Sequence, residues 1–399
     1  MKKNYILRFI ISLFTLYLVI SMILHPEETF NGAGFGLKTW STVLIPSLLP
    51  FFIITDLMVE LGIVRLLGVL LENIMRPLFK QPGEAGFVLA MGLTSGFPMG
   101  AVLTNQLLEN DVCTKEEATR LICFTNNASP VFLLVAIPIG MFNNPSLGIL
   151  LAICHYGANI ILGITLGIFS SKSNYLNVSK NSSFTSKIHS AISSLIKNKK
   201  PLGIILGNAV NKSIKNILLI GGFVVFFSVF LEILKNSSLF VVLQIVLGKG
   251  LMFLGLDSSF SQAITTGFFE MTLGAKTAAE TNAPLIEQLI IVSFILGWSG
   301  LSIQAQVTSI VGKMDIPISK YIFSRLLHGV ISCFLINLLY DPVLKIMDSN
   351  LPVFNMPFTQ VNYHTLGYLK FNLVFALLAL VTLIFISFVL TLAKKNKQV

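Results

Sequence analysis

Residues 288–312 read QLIIVSFILGWSGLSIQAQVTSIVG, a run of 25 positions without one charged side chain. A helix needs roughly 20 such residues to cross the hydrocarbon core of a bilayer. Similar charge-free runs extend over Leu121–Met141, Ser146–Ser171 and Phe371–Ala393. Only helices and closed barrels satisfy every backbone group in lipid, and the short alternating strands of a barrel are absent from the sequence. The pattern therefore predicts an all-α integral membrane protein.

Composition agrees with this class and excludes a soluble protein. Hydrophobic residues make up 54% of the 399 positions, the mean hydropathy is +0.81, and only 12% of the residues are charged. Soluble domains carry about 25% charged residues. The net charge of +10 lies in a few loops, where it indicates orientation against the cytoplasmic face rather than nucleic-acid binding, since no basic run alternates with aromatics.

Motifs for cofactor chemistry are absent from the sequence. The four cysteines, Cys113, Cys123, Cys154 and Cys333, form no C-x-x-C pair, which argues against a metal cage or a disulfide framework. Neither H-E-x-x-H nor the nucleotide-binding G-x-x-x-x-G-K-[ST] occurs. We therefore expect no metal, no cofactor and no enzymatic activity, and any transport would draw on a gradient or a partner.

The apolar runs predict eight full spans and two re-entrant hairpins. We place the hairpins at Phe87–Leu108 and Ser258–Ala275, both interrupted by glycine. A loop is expected at Glu27–Gly36, an interfacial segment at Glu60–Lys80, and a polar loop at Ser171–Lys200. The predicted spans are Ile6–Leu24, Trp40–Val59, Leu121–Phe142, Leu147–Ser170, Asn216–Leu234, Leu289–Val311, Tyr321–Tyr340 and Leu369–Ala393.

Two copies of one pattern divide the chain. TSGFPMGA at 94–101 matches TTGFFEMTLGA at 265–275, and FTNNAS at 124–129 aligns loosely with FILGWS at 294–299. If both termini are cytoplasmic, most of the 28 Lys and Arg residues lie in cytoplasmic segments. The second copy then has the opposite orientation in the membrane to the first. Inverted repeats with paired broken helices are typical of secondary transporters. The predicted parts are 1–34 (first span and loop), 35–170 (repeat 1), 171–200 (Lys-rich loop), 201–345 (repeat 2) and 346–399 (outer loop, last span and basic tail).

The motifs S-G-F-P-x-G-A, F-T-N-N-A-S-P and T-G-F-F-E-x-x-x-G-A resemble those of the sporulation integral membrane protein YlbJ family. That family carries a nucleoside-recognition "gate" domain, distantly similar to concentrative nucleoside transporters. The resemblance extends from Phe35 to about Asp341. It implies a multi-pass protein of the mother-cell or outer forespore membrane that moves dipicolinic acid during sporulation. It also implies a small polar or anionic solute bound between the two hairpins and the broken spans after them.

The candidate binding residues are those at the predicted helix breaks. A broken helix leaves backbone N–H groups without partners, and helix N-termini attract carboxylates. Phe97 or Phe268 could stack on an aromatic solute. The alternative is that the glycines only allow close helix packing. The candidates are Ser95, Gly96, Phe97, Pro98, Asn126, Asn127, Ser129, Gly267, Phe268, Glu270, Ser299 and Gln304.

Four polar residues have alternative readings. Asn126 and Asn127 must be paired in lipid, either with the solute or in a structural hydrogen bond between helices. Glu270 is a coupling site for H⁺ or Na⁺ or a ligand contact, with Lys276 as a partner, or else a solvated residue at a hairpin tip. His155, inside a predicted span, is more typical of a packed, hydrogen-bonded residue than of a ligand.

Rival functions are a transporter of a nucleoside-like solute and a non-transporting scaffold needed for spore envelope assembly. The scaffold would need neither inverted breaks nor intramembrane amides. The expected partners are a small-molecule solute, membrane lipid and a coupling ion, with no nucleic acid. The sequence leaves open whether the protein forms an oligomer.

Overall fold

The computed structural model describes residues 2–170, 188–189, 191–193 and 201–348. The predicted span Leu369–Ala393 and most of the loop Ser171–Lys200 lie outside these ranges. Within them every regular element is a helix, so the predicted all-α class is confirmed. The α-helices discussed below are α1 Lys2–Leu24, α2 Pro26–Thr39, α3 Ile45–Leu61, α4 Ile63–Ile74, α5 Ala85–Ser95, α6 Met99–Glu109, α7 Lys115–Thr125, α8 Leu147–Ile168, α9 Leu202–Lys235, α10 Ser238–Phe253, α11 Ser261–Phe269, α12 Met271–Ala279, α13 Leu285–Trp298, α14 Gly300–Val311 and α15 Ile318–Asp348.

Four helical stretches in the described residues are long and apolar enough to cross a membrane. They are Leu147–Ile168, Leu202–Lys235, Leu285–Val311 and Ile318–Leu344. A fifth is obtained if α1 and α2, which meet at an angle of 103°, together make one span. These stretches fit an integral membrane protein, and the total of eight spans stays a prediction.

The segment Glu27–Gly36, expected as a loop, is helical, so that expectation is wrong. Pro26 and the two acidic residues after it favour a helix start, because proline suits the first turn and acids complement the helix dipole. The glycines serve packing against α9. A Cβ on Gly32 would lie 2.8 Å from the Val229 Cα, and one on Gly36 would lie 2.7 Å from the Val225 Cα.

Helices α5 and α6 form the first predicted hairpin, here called hairpin 1, and they lie in the core. Every residue of α5 except Leu93 is buried. Each arm has 11 residues, or about 16 Å at 1.5 Å per residue, which is roughly half of a 30 Å hydrocarbon core. Arms of this length suit a segment that enters a bilayer and turns back.

Helices α11 and α12 form the second hairpin, hairpin 2, and the arms fold back on each other. A Cβ on Gly274 would overlap the Gly267 backbone and lie 3.1 Å from the Ala263 carbonyl oxygen. Each hairpin is followed by a helix that breaks and resumes. Broken span 1 comprises α7 and residues 126–142, and broken span 2 comprises α13 and α14. A hairpin followed by a broken span thus occurs twice in the described residues, while the inverted orientation of the second copy stays a prediction.

Candidate solute-binding site at the paired helix breaks

The break of hairpin 1 lies against the break of broken span 1. Gly96 has φ +85°, a left-handed conformation that favours glycine, and its Cβ would meet Ser129 at 3.0 Å. On either side of it, a Cβ on Gly92 or Gly100 would overlap the Thr125 carbonyl. Glycine is therefore required on this face because two backbones touch there, which brings the two predicted motifs together.

Asn126 ties these two breaks together by hydrogen bonds. Its side-chain Oδ1 accepts from the Ala101 N–H at 2.9 Å, at the start of α6, and its Nδ2 donates to the Ile122 carbonyl at 2.9 Å. The structural hydrogen bond between helices is therefore present, and a contact of Asn126 with the solute stays a prediction. Asn127 is also buried, but its Oδ1 has no hydrogen-bond partner.

Hairpin 2 breaks at Glu270 rather than at Gly267 and Phe268, so the predicted position was wrong. Helix α11 continues through both of those residues. Glu270 has an extended backbone, and its carboxylate accepts from the N–H groups of Thr272 at 3.0 Å and Leu273 at 2.7 Å. These bonds cap α12 and fix its start. The half-buried Glu270 does not pair with Lys276, which contacts Glu280 at 3.8 Å.

The break of broken span 2 lies against the break of hairpin 2. Ser299 and Gly300 have φ values of 68° and 75°, and a Cβ on Gly300 would lie 2.9 Å from the Phe269 carbonyl oxygen. Gln304 donates from Nε2 to the Trp298 carbonyl at 3.0 Å, and its Oε1 has no partner. Helix α14 has no side-chain cap at its start.

The two candidate aromatic residues differ in environment. Phe268 is 43% exposed and stacks on the Trp298 ring at 5.4 Å between centroids, with 12° between the planes. The Trp298 indole N–H donates to the Phe268 carbonyl at 3.0 Å, which joins hairpin 2 to broken span 2. Phe97 is partly buried and packs against the core. Of the two rings, that of Phe268 is the exposed one.

Sequence reasoning missed three residues on α15. Arg325 is fully buried and donates from Nη1 to the Asn126 carbonyl at 2.6 Å and from Nη2 to the Cys123 carbonyl. Its guanidinium lies over the Tyr321 ring, 5.6 Å from the centroid. The signal was available, because an arginine inside a predicted span indicates function by default.

His328, the third missed residue, pairs with His155. The two rings lie 4.5 Å apart, and His328 Nε2 donates to the His155 carbonyl at 2.9 Å. His155 Nε2 accepts from the Ala128 N–H at 3.2 Å, inside the break of broken span 1. His155 is thus a packed, hydrogen-bonded histidine, as predicted.

The predicted residues form two groups. Gly96, Pro98, Asn126 and Ser129 meet at the first pair of breaks, beside the buried Ser95, whose hydroxyl has no partner. The second group lies at the other pair of breaks and consists of Phe268, Glu270, Ser299 and Gln304. Gly267 lies within α11, packed against the Ile295 side chain. Helix α14 packs on both α6 and α11, so it lies between the groups.

Comparison with known proteins identifies the family of this chain. Residues 41–196 match the family model Gate, described as nucleoside recognition, which covers hairpin 1, broken span 1 and α8. The sporulation integral membrane protein YlbJ of Bacillus subtilis is 42% identical over 338 residues, 84% of this chain and 83% of that protein. The chain belongs to the YlbJ family. It is the family that the motifs of the sequence predicted. No solved structure matches this YlbJ-family protein.

Proposed function

We propose that this protein is a secondary transporter or facilitator of a small polar or anionic metabolite, dipicolinic acid, across the mother-cell-derived membrane during sporulation. One observation carries the proposal: the four helix breaks meet in two pairs, with α14 packed between them. Secondary transporters bind their solutes where broken helices meet near the bilayer midplane. The name of the Bacillus subtilis relative, which assigns that protein to sporulation, supports the setting.

The helix starts at these breaks indicate where a carboxylate would bind. Asn126 caps α6 and Glu270 caps α12. At the start of the second half of broken span 1, the Ser129 hydroxyl accepts from the Phe132 N–H at 3.3 Å. Only α14, of these four starts, has no side-chain cap. Its first N–H groups, at the positive end of a 12-residue helix, are the backbone donors best suited to an anion.

Glu270 supports a proposal for ion coupling. As a carboxylate it accepts from two N–H groups of α12, whereas a protonated carboxyl group keeps one oxygen as a donor and loses acceptor capacity. Proton binding would therefore weaken the cap of α12 and loosen the tip of hairpin 2. Sodium ion is the alternative coupling ion, held by the same carboxylate.

A nucleoside-like solute is the second candidate. The family model is described as nucleoside recognition, and the exposed Phe268 stacked on Trp298 offers a flat surface on which a base could stack. A nucleoside carries no carboxylate. Competition between dipicolinate and uridine for uptake therefore separates the two solutes.

The physiological test is the dipicolinate content of spores from a strain that lacks this protein. We expect spore dipicolinate to fall at least tenfold while the mother cell still contains it, because synthesis is intact and transfer is blocked. A strain complemented with the parent gene is the control. Spores with normal dipicolinate but a defective envelope would contradict the proposal and favour the scaffold.

The proposed orientation can be tested with two serines outside the described residues. In a chain without its four native cysteines, Ser183→Cys should react with a thiol reagent only when the cytoplasmic face is exposed, and Ser349→Cys only from the outer face. The lysine-rich loop and the basic tail are the physical reason, since positive segments remain inside. Labelling of both positions from one side would exclude the eight-span arrangement and its inverted repeat.

A further inference from the structure

Arg325 carries a buried positive charge whose partners are all neutral. Its side chain has no solvent exposure, and it contacts the carbonyl oxygens of Cys123 and Asn126 and the ring of Tyr321. In the described residues no carboxylate forms an ion pair with it. A guanidinium does not lose its proton in proteins, so the charge persists. Buried charges are normally paired, because an uncompensated one costs several kcal/mol.

Arg325 lies on a stretch of α15 that contacts both pairs of breaks. It contacts the Asn126 carbonyl at the break of broken span 1. One turn earlier on α15, the Tyr321 hydroxyl lies beside the Ser299 side chain at the break of broken span 2. One turn later, His328 contacts His155, which in turn accepts from Ala128. One face of α15, which carries Tyr321, Arg325 and His328, therefore contacts both broken spans and α8.

Several polar atoms on and near this face have no hydrogen-bond partner although they are buried. A donor, the Arg325 Nε–H, is among them. Buried polar groups in native proteins are almost always hydrogen-bonded, so a group of exceptions calls for an explanation. Further examples are the Nδ1 of His328 on the same helix, and the Nδ1 of His155 and the Oδ1 of Asn127 on neighbouring elements.

We propose that Arg325 is the fixed counter-charge by which the site selects carboxylate solutes. The inference rests on the proposed transport function and adds a specificity-determining residue to it. A carboxylate supplies both the missing negative charge and acceptors for the unpartnered donors. Guanidinium groups bind carboxylates in planar geometry, which a neutral solute cannot match.

A purely structural role for Arg325 would be to cap the end of α7. Cations do stabilise the carbonyl end of a helix. However, the Ser324 hydroxyl also donates to the Cys123 carbonyl, at 3.2 Å, so that oxygen has a neutral donor as well. The dipole of one helix end amounts to about half a charge, which leaves part of the guanidinium charge uncompensated.

The test is a comparison of three ligands that differ in charge. The affinities of the purified full-length chain for pyridine-2,6-dicarboxylate, its half-amide and its diamide are measured by calorimetry. For the parent we expect affinity to fall in that order. Arg325→Gln should weaken dicarboxylate binding roughly 10- to 100-fold and leave diamide binding within a few fold, because a charged hydrogen bond is lost. The preference for the dianion then disappears.

Ser324→Ala is the matched control, since it removes a hydrogen bond to the same carbonyl without changing the charge, and it should keep the parental preference. If Arg325→Gln does not fold, Arg325→Lys takes its place and should keep the order of the ligands with weaker dicarboxylate binding. An unchanged preference in folded Arg325→Gln, or unchanged dicarboxylate affinity in Arg325→Lys, would overturn the role of Arg325 alone. A parent that binds none of the three ligands would refute the proposed solute and this inference together.

Discussion

Replacement of Gly96 by leucine should abolish solute uptake in reconstituted vesicles while the protein remains in the membrane. Gly96 has φ +85° and ψ −174°, a backbone region that is essentially restricted to glycine and costs another residue about 1–3 kcal/mol. The new side chain would also start 3.0 Å from the Ser129 Cβ and separate hairpin 1 from broken span 1. The site would lose both its shape and its close approach of backbone to solute.

The control for this variant is Gly34→Leu. Gly34 lies in α2, and a Cβ there would meet nothing within 4 Å. Both proteins are compared for membrane insertion, for elution as a single species and for the initial rate of uptake. We expect a milder effect from Gly267→Leu, since the atoms nearest to a Cβ at Gly267 belong to the Ile295 side chain, at 2.7 Å, rather than to backbone. Parental uptake by Gly96→Leu would move the site away from hairpin 1.

Glu270→Gln should retain exchange of solute across equal concentrations and lose accumulation driven by a pH gradient. Glutamine keeps the volume of the side chain and one acceptor oxygen for the α12 N–H groups, but it cannot bind and release a proton. The gradient would then no longer act on the tip of hairpin 2. Accumulation, measured as the ratio of internal to external solute, should fall to about one.

Glu280→Gln is the control for this variant. Glu280 lies just after the end of α12, and its side chain is 64% exposed and paired with Lys276. It should accumulate solute like the parent. If Glu270→Gln accumulates solute as well as the parent does, Glu270 is not the coupling residue. If the parent itself ignores the pH gradient, the protein is a facilitator or uses another ion such as Na⁺.

The sequence predicted the helical membrane class and the positions of three of the four breaks. Those three contain strong local signals: Gly-Phe-Pro at 96–98, adjacent amides before Pro130, and Ser299 next to Gly300. Hairpin 2 has a weaker signal, because Gly267 can serve either a break or close packing. The structure uses it for packing, and Glu270 makes the break with a capping contact that no motif indicated.

The remaining differences arise from contacts between distant elements. The Gly-rich segment 27–36 reads as a loop by itself, but its glycines allow α2 to approach the α9 backbone. Arg325 and His328 lie outside the repeated motifs. Their roles follow from their contacts with the Asn126 carbonyl and with His155. Such partners, about 170 to 200 positions apart, become visible only in the folded chain.

Uptake of labelled dipicolinate by vesicles that contain only the purified full-length chain tests the central claim most directly. The account predicts saturable uptake well above that of empty vesicles, inhibited by excess unlabelled dipicolinate and absent from vesicles that contain Gly96→Leu. Uptake by the parent that equals that of empty vesicles, with the protein correctly inserted, would contradict a transport function for the paired breaks.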